Sequence, residues 1–170
     1  NQLTSLDVSS NPALTDLSCG SNQLTSLDIS SSTALLHLTC NNNQLTALDV
    51  SHNTALESIY CYVNQLTALD VSSNAALKSL DCYNNQLTSL NVSNNTALTE
   101  LYCYHNQLTS LDVSSNTALT GLSCRYSQLT SLDINTALTE LDCEGNQLTS
   151  LDVSNTALTS LNCRYNQLTS

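Results

Sequence analysis

The chain has no Phe, Trp or Met, and only one Pro and three Gly among 170 residues. A core without these large side chains must be built from aliphatic groups. Lys and Arg together number 3 against 14 acids, for a formal net charge of −11. Nucleic acid and anionic membrane surfaces are met by basic patches, so that balance argues against both as partners. No apolar run approaches the ~18 residues of a membrane span, so direct membrane insertion is not expected, and no signal peptide stands at the start. GxSxG, HExxH and glycine-rich phosphate loops do not occur, and His37, His52 and His105 have no matched nucleophile. Neither catalysis nor a cofactor is expected.

What is present is periodic. Cysteines stand at Cys19, Cys40, Cys61, Cys82, Cys103, Cys124, Cys143 and Cys163, five times 21 residues apart and then 19 and 20. No redox or catalytic motif needs that spacing, whereas a stack of near-identical coils does. Low hydrophobicity with few aromatics can signal disorder, but strict repetition of Leu answers that objection. The unit reads NQLTSLDVSxNTALTxLxCxx. Columns run down it at Leu3 through Leu168, at Leu6 through Leu151, and at Val8, Ile29, Val50, Val71, Val92, Val113, Ile134 and Val153. No single coil can bury its apolar groups, but stacked neighbours can. Coils should repeat at ~4.8 Å, the spacing of parallel strands. The short interval after Cys124 arises where Asp133-Ile134-Asn135-Thr136 replaces the longer DVSxNT, which should trim a turn and spare the strands.

Three polar columns need an account. Asn22, Asn43, Asn64, Asn85, Asn106, Asn146 and Asn166 close one half of the unit, with Ser127 as the one break. Buried carboxamides there can satisfy backbone groups left unpaired by the turn. Asp7, Asp28, Asp49, Asp70, Asp112, Asp133 and Asp152 form the second, with Asn91 once in their place. Like charges one strand apart repel. Hydrogen bonds to backbone N–H or to hydroxyls, which Asn91 could also accept, would stabilise them; calcium would offset the charge, although one column supplies few converging oxygens. The cysteines occupy the slot that Val fills in the other half-unit, so they should point inward. Disulfides would need Cβ vectors turned toward each other, and zinc would want an inward His that does not recur. The register favours a ladder of reduced, buried thiols.

Variation between copies concentrates around LxC. All seven Tyr and both Arg of the chain lie there. Tyr62, Tyr83 and Tyr104 share one slot in consecutive coils, followed by Arg125. Alternation along a strand turns these slots away from the core. Tyr and Arg carry much of the binding energy at interfaces. Tyr60, Tyr62, Tyr83, Tyr102, Tyr104, His105, Arg125, Tyr126, Arg164 and Tyr165 are therefore the candidate ligand-binding residues, although Tyr also simply suits an exposed sheet. Glu140, Asp142 and Glu144 read as solvated acids on an exposed strand.

Half-units such as Leu98 to Asn106 and Leu108 to Asn116 match the LxxLxLxxN strand signature, with Cys or Val in the third apolar slot. The segment LTELYCYHNQLTSLDVSSN resembles the cysteine-containing leucine-rich repeats of bacterial surface proteins, those of the internalin family and similar repeats in secreted proteins of Bacteroidetes. The resemblance covers essentially the whole chain. It implies a leucine-rich repeat solenoid with a parallel β-sheet on the LxC side, short extended or turn segments opposite, and little or no α-helix. Residues 1–170 should form a single array of about eight coils. The array begins and ends in mid-repeat without polar caps, as an internal fragment of a longer protein would. The implied function is a non-catalytic protein- or glycan-binding module of an extracellular or cell-surface adhesin. The alternative is a structural spacer or filament segment that self-associates end to end.

Overall fold

The computed structural model describes residues 1–154 and 156–169; Asn155 and Ser170 lie outside the described residues. Ten strands of three residues each form in chain order: β1 (Asp16–Ser18), β2 (His37–Thr39), β3 (Ser58–Tyr60), β4 (Ser79–Asp81), β5 (Glu100–Tyr102), β6 (Ser110–Asp112), β7 (Gly121–Ser123), β8 (Ser131–Asp133), β9 (Glu140–Asp142) and β10 (Ser160–Asn162). Eight of them pair in parallel as one sheet, in the order β1-β2-β3-β4-β5-β7-β9-β10. β6 and β8 pair in parallel on their own. The chain is thus a parallel β-solenoid with no helix among the described residues. The longer sheet uses the LxC half-unit and the shorter one the DV half-unit, as the repeat grammar predicts. Each strand of the longer sheet ends one residue before its Cys, but Cys61 N–H still donates to Asp81 O at 2.9 Å, and the other coils continue likewise.

Between the two sides lies a core of Leu, Val, Ile and Cys. Leu45, Val50, Leu56, Ile59, Cys61 and Leu66 have no exposed surface at all, and the neighbouring coils repeat the pattern. The eight cysteines are free thiols, seven buried and Cys163 half-buried. Burial pushes the Cys61 and Cys103 thiols up to about 12, and Cys40, Cys82 and Cys124 also rise well above 9.0. A buried neutral thiol packs as a small hydrophobe and is a poor nucleophile.

The asparagine column stitches each coil to the one before it. Asn85 Nδ2 donates to Cys61 O at 3.1 Å and Cys82 O at 3.0 Å, while its Oδ1 accepts from Leu66 N–H at 3.0 Å. The same three bonds recur at Asn43, Asn64, Asn106, Asn146 and Asn166. One side chain therefore satisfies three backbone groups across two coils. A second ladder on the DV side was not anticipated. Asn53, Asn74, Asn95 and Asn116 are fully buried. Asn95 Nδ2, for example, donates to Val71 O and Asn74 O, both at 2.9 Å. The Oδ1 atoms of these four have no partner, so this ladder is only half satisfied. The aspartate column, Asp133 apart, takes the hydrogen-bonding role: Asp49 accepts Ser51 N–H at 2.9 Å, and Asn91 accepts Ser93 N–H at 3.0 Å in the same way. Among the described residues, no three His, Cys, Asp or Glu converge as a metal would need.

Ser127 interrupts the first ladder, and its hydroxyl is buried without a partner. Ser127→Asn restores an acceptor for Leu108 N–H and a donor for the Cys103 and Cys124 carbonyls. It should raise unfolding free energy by about 1 kcal/mol, whereas Asn85→Ser should lower it by about 2–3 kcal/mol, both read from urea denaturation. Ellman's reagent should label Cys163 first and the seven buried thiols only as fast as the coils open; immediate labelling of all eight in the native protein would contradict the buried ladder.

Candidate functional site: a tyrosine ladder on the sheet face

The backbone register decides which variable side chains meet. Consecutive coils present the residue after each Cys at one pitch, so Tyr62, Tyr83 and Tyr104 fall in line. Their rings stack with centroids 4.5 Å apart at 10° and 4.3 Å apart at 7°. The Arg125 guanidinium carbon then lies 4.6 Å from the centre of the Tyr104 ring. Stacked phenols closed by a guanidinium are favourable both as aromatic pairs and as a cation–π contact. The Arg125 Nε also lies 3.7 Å from Asp142 Oδ2.

A second stack forms one residue further along, where the chain is not a strand. Ser21, Asn42, Val63, Asn84, His105, Tyr126 and Tyr165 all have φ between 49° and 54°. This is the left-handed region, which L-residues other than Asn and Asp rarely enter, and it turns the chain toward the buried asparagine. The expectation that alternation alone aims this slot is therefore corrected: the turn aims it. There His105 stacks on Tyr126 with centroids 5.0 Å apart at 8°. The next coil has Gly145 in the slot, at φ 68°. A Cβ on Gly145 would come within 2.5 Å of the Tyr126 ring, so the glycine is what lets that ring lie down. The Tyr126 hydroxyl donates to Glu144 Oε1 at 2.9 Å, and Asn162 Nδ2 donates to Glu144 Oε2 at 2.8 Å.

The remaining candidates do not join these stacks. Tyr60 and Tyr102 are held apart by Asp81, which pairs with both in the register of the sheet. Arg164 and Tyr165 lie on the last described coil, and Tyr165 is 77% exposed. Asp81 is a functional candidate that alternation alone does not mark, and the acids near the end, expected to be solvated, are not all so. Glu144 and Asp142 are instead tied to Tyr126, Asn162 and Arg125. Aligning the variable slots column by column, with each residue compared to its neighbours 21 away, was the signal that could have found them. Burial pushes the Asp81 carboxyl up to about 7, against a bond from Tyr83 N–H that lowers it.

Residues 75–116 match a family model described as leucine rich repeats (2 copies). The functional domain of InlJ from Listeria monocytogenes, which includes a cysteine ladder, is 34% identical over 97% of this chain and 47% of its own, with a TM-score of 0.66. This chain is a cysteine-containing leucine-rich repeat protein of the internalin type. A leucine-rich repeat protein of Leptospira interrogans superimposes with a TM-score of 0.92 at 27% identity, over 99% of this chain and 48% of that one. YopM from Yersinia enterocolitica matches at 27% identity and a TM-score of 0.80, over 98% of this chain and 36% of that one. The chain thus spans about half or less of the length of these relatives. No curated protein sequence matches it.

Asp81 sets a pH dependence in this repeat protein. Its folded value of about 7 exceeds the ordinary 3.8, so the folded state holds the proton more tightly. Its contribution is full below pH 4 and is lost as pH rises toward 7. Asp81→Asn should therefore raise the melting temperature at pH 8 and change it little at pH 4; an equal shift at both would show that burial is not the cause.

Proposed function

We propose that this array is a non-catalytic protein-binding module of an extracellular or cell-surface bacterial adhesin, and that it captures its partner through the ladder of Tyr62, Tyr83, Tyr104 and Arg125 with the flanking pair His105 and Tyr126. The leucine-rich repeat fold and its internalin-type cysteine ladder support a protein-interaction role. The observation that carries the choice of face is the stack itself. Tyr83 has one ring face on Tyr62 and the other on Tyr104, and Tyr104 has its second face under Arg125. A sugar docks on an aromatic ring through an open face, and these faces are already covered. What the ladder offers outward is ring edge and hydroxyl, held at low conformational-entropy cost, which suits a protein surface. Tyr and Arg are also the residue types in which interface binding energy concentrates.

Replacing Tyr62, Tyr83 and Tyr104 together with Ser should abolish capture of partners from an array of extracellular proteins. Folding should persist with a loss of about 1–3 kcal/mol, the worth of two aromatic stacks, measured by thermal melting. Undiminished capture by the folded triple variant would overturn the proposal.

A further inference from the structure

Beside the ladder, one coil of the sheet lacks bulk. The register across β5, β7 and β9 sets Glu100, Gly121 and Glu140 in one row and Tyr102, Ser123 and Asp142 in the next. In both rows the middle coil carries the smallest residue. A depression of about 550 Å³ results, floored by Gly121, Leu122 and Ser123 and walled by Tyr102 on one side and by Glu140 and Asp142 on the other. Arg125 and Asp81 also border it.

Three features of the depression point to the same ligand chemistry. Its charge is unbalanced: of its acids, only Asp142 lies within ion-pairing distance of a base among the described residues, and that base is Arg125, already seated on Tyr104. Lys78, the one lysine of the chain, is bound to Glu57 at 2.7 Å on another part of the surface. Its aromatic wall is unused: Tyr102 stacks on no other ring among the described residues, unlike Tyr83 and Tyr104 beside it. Finally, its floor is open by composition. A Cβ built on Gly121 meets nothing nearer than Glu100 Cγ at 4.0 Å, and Gly121 is not in the left-handed region. No backbone constraint demands glycine there, so its effect on this face is the space it leaves. An aromatic wall facing carboxylates is the environment that desolvates and holds an organic cation.

We infer that this depression receives one Lys or Arg side chain of the partner protein, its cationic head set between the Tyr102 ring and the carboxylates of Glu140 and Asp142. The inference rests on the sheet face being the protein-binding surface. It adds the chemical class of the partner: a basic side chain presented on an accessible segment. The chain's net charge of −11 would steer such a segment toward it.

The test is an NMR titration of the isotopically labelled protein with three short peptides, Ser-Gly-Arg-Gly-Ser, its Lys counterpart and its Gln counterpart. The two basic peptides should shift the Gly121, Ser123 and Glu140 amides saturably, and less so as salt is raised; the Gln peptide should not. Gly121→Lys places a cation in the depression from within. It should remove the response to the basic peptides while melting as the parent does. Glu140→Gln and Asp142→Asn should each weaken the basic peptides by about tenfold. Equal shifts from the Gln peptide, or an undiminished response in a folded Gly121→Lys variant, would overturn the inference. A failed peptide titration alongside loss of array capture in the tyrosine triple variant would sink this pocket alone. A positive titration with undiminished capture would instead sink the ladder.

Discussion

One carboxamide per coil holds this protein at a fixed pitch. The side chain of Asn85 bonds to two carbonyls and one N–H belonging to two successive coils, and the same arrangement repeats along the stack. Apolar burial supplies most of the driving force for stacking, but it is non-directional. The backbone ladder and the asparagines give it direction, because a coil that slid or tilted would leave buried polar groups unpaired. The pitch then propagates outward. Parallel strands repeat at about 4.8 Å, close to the distance at which aromatic rings stack, and the rings of Tyr62, Tyr83 and Tyr104 settle at 4.5 and 4.3 Å. The core sets the spacing of the surface ladder before any partner arrives.

The inner and outer ladders differ in what substitution costs. A cysteine in the inner column can be exchanged for another small hydrophobe only if its volume is kept, since those from Cys40 to Cys143 have no exposed surface. The residue one step further along can become Tyr62, Arg125 or Glu144 without touching the core. The same pitch that forbids change inside makes change outside cheap, so diversity accumulates on one face. The thiols serve this division as filling. Burial raises the inner ones, Cys61 and Cys103 among them, well above neutral pH, which makes them poor nucleophiles and leaves the tyrosine and carboxylate groups as the chemistry-bearing surface.

Much of this was legible from the repeat alone. The strand side, the inward cysteines, the first asparagine ladder and the alignment of Tyr62, Tyr83, Tyr104 and Arg125 follow from period and alternation. Three things did not. The second ladder at Asn53, Asn74, Asn95 and Asn116 was hidden because a recurring Asn in a DVSxN turn looks like ordinary turn chemistry; only its burial marks it as structural. The left-handed slot was hidden because Val63, His105, Tyr126 and Tyr165 carry no signal for it, which only Asn42, Asn84 and Gly145 give. The environment of Asp81 was hidden because its burial depends on Tyr60 and Tyr102, which are 21 residues away on each side.

The departures from the repeat fall close together, and their position has a physical consequence. Gly121 and Ser123 thin the sheet face, Arg125 ends the tyrosine row, Ser127 breaks the asparagine ladder, and the shortened turn around Asn135 follows within the next coil. Elsewhere each coil is specified by its neighbours on both sides. Here one polar stitch is missing on the sheet side, and the loop opposite is shorter, so this coil lacks a bond that its neighbours in the stack have. It is also the coil beneath the depression on the face. A rigid stack offers a partner only a flat ruler of side chains; a single irregular coil supplies the concavity in which a side chain can be desolvated. Regular coils before it set the spacing, and the irregular one breaks the surface where specificity can enter.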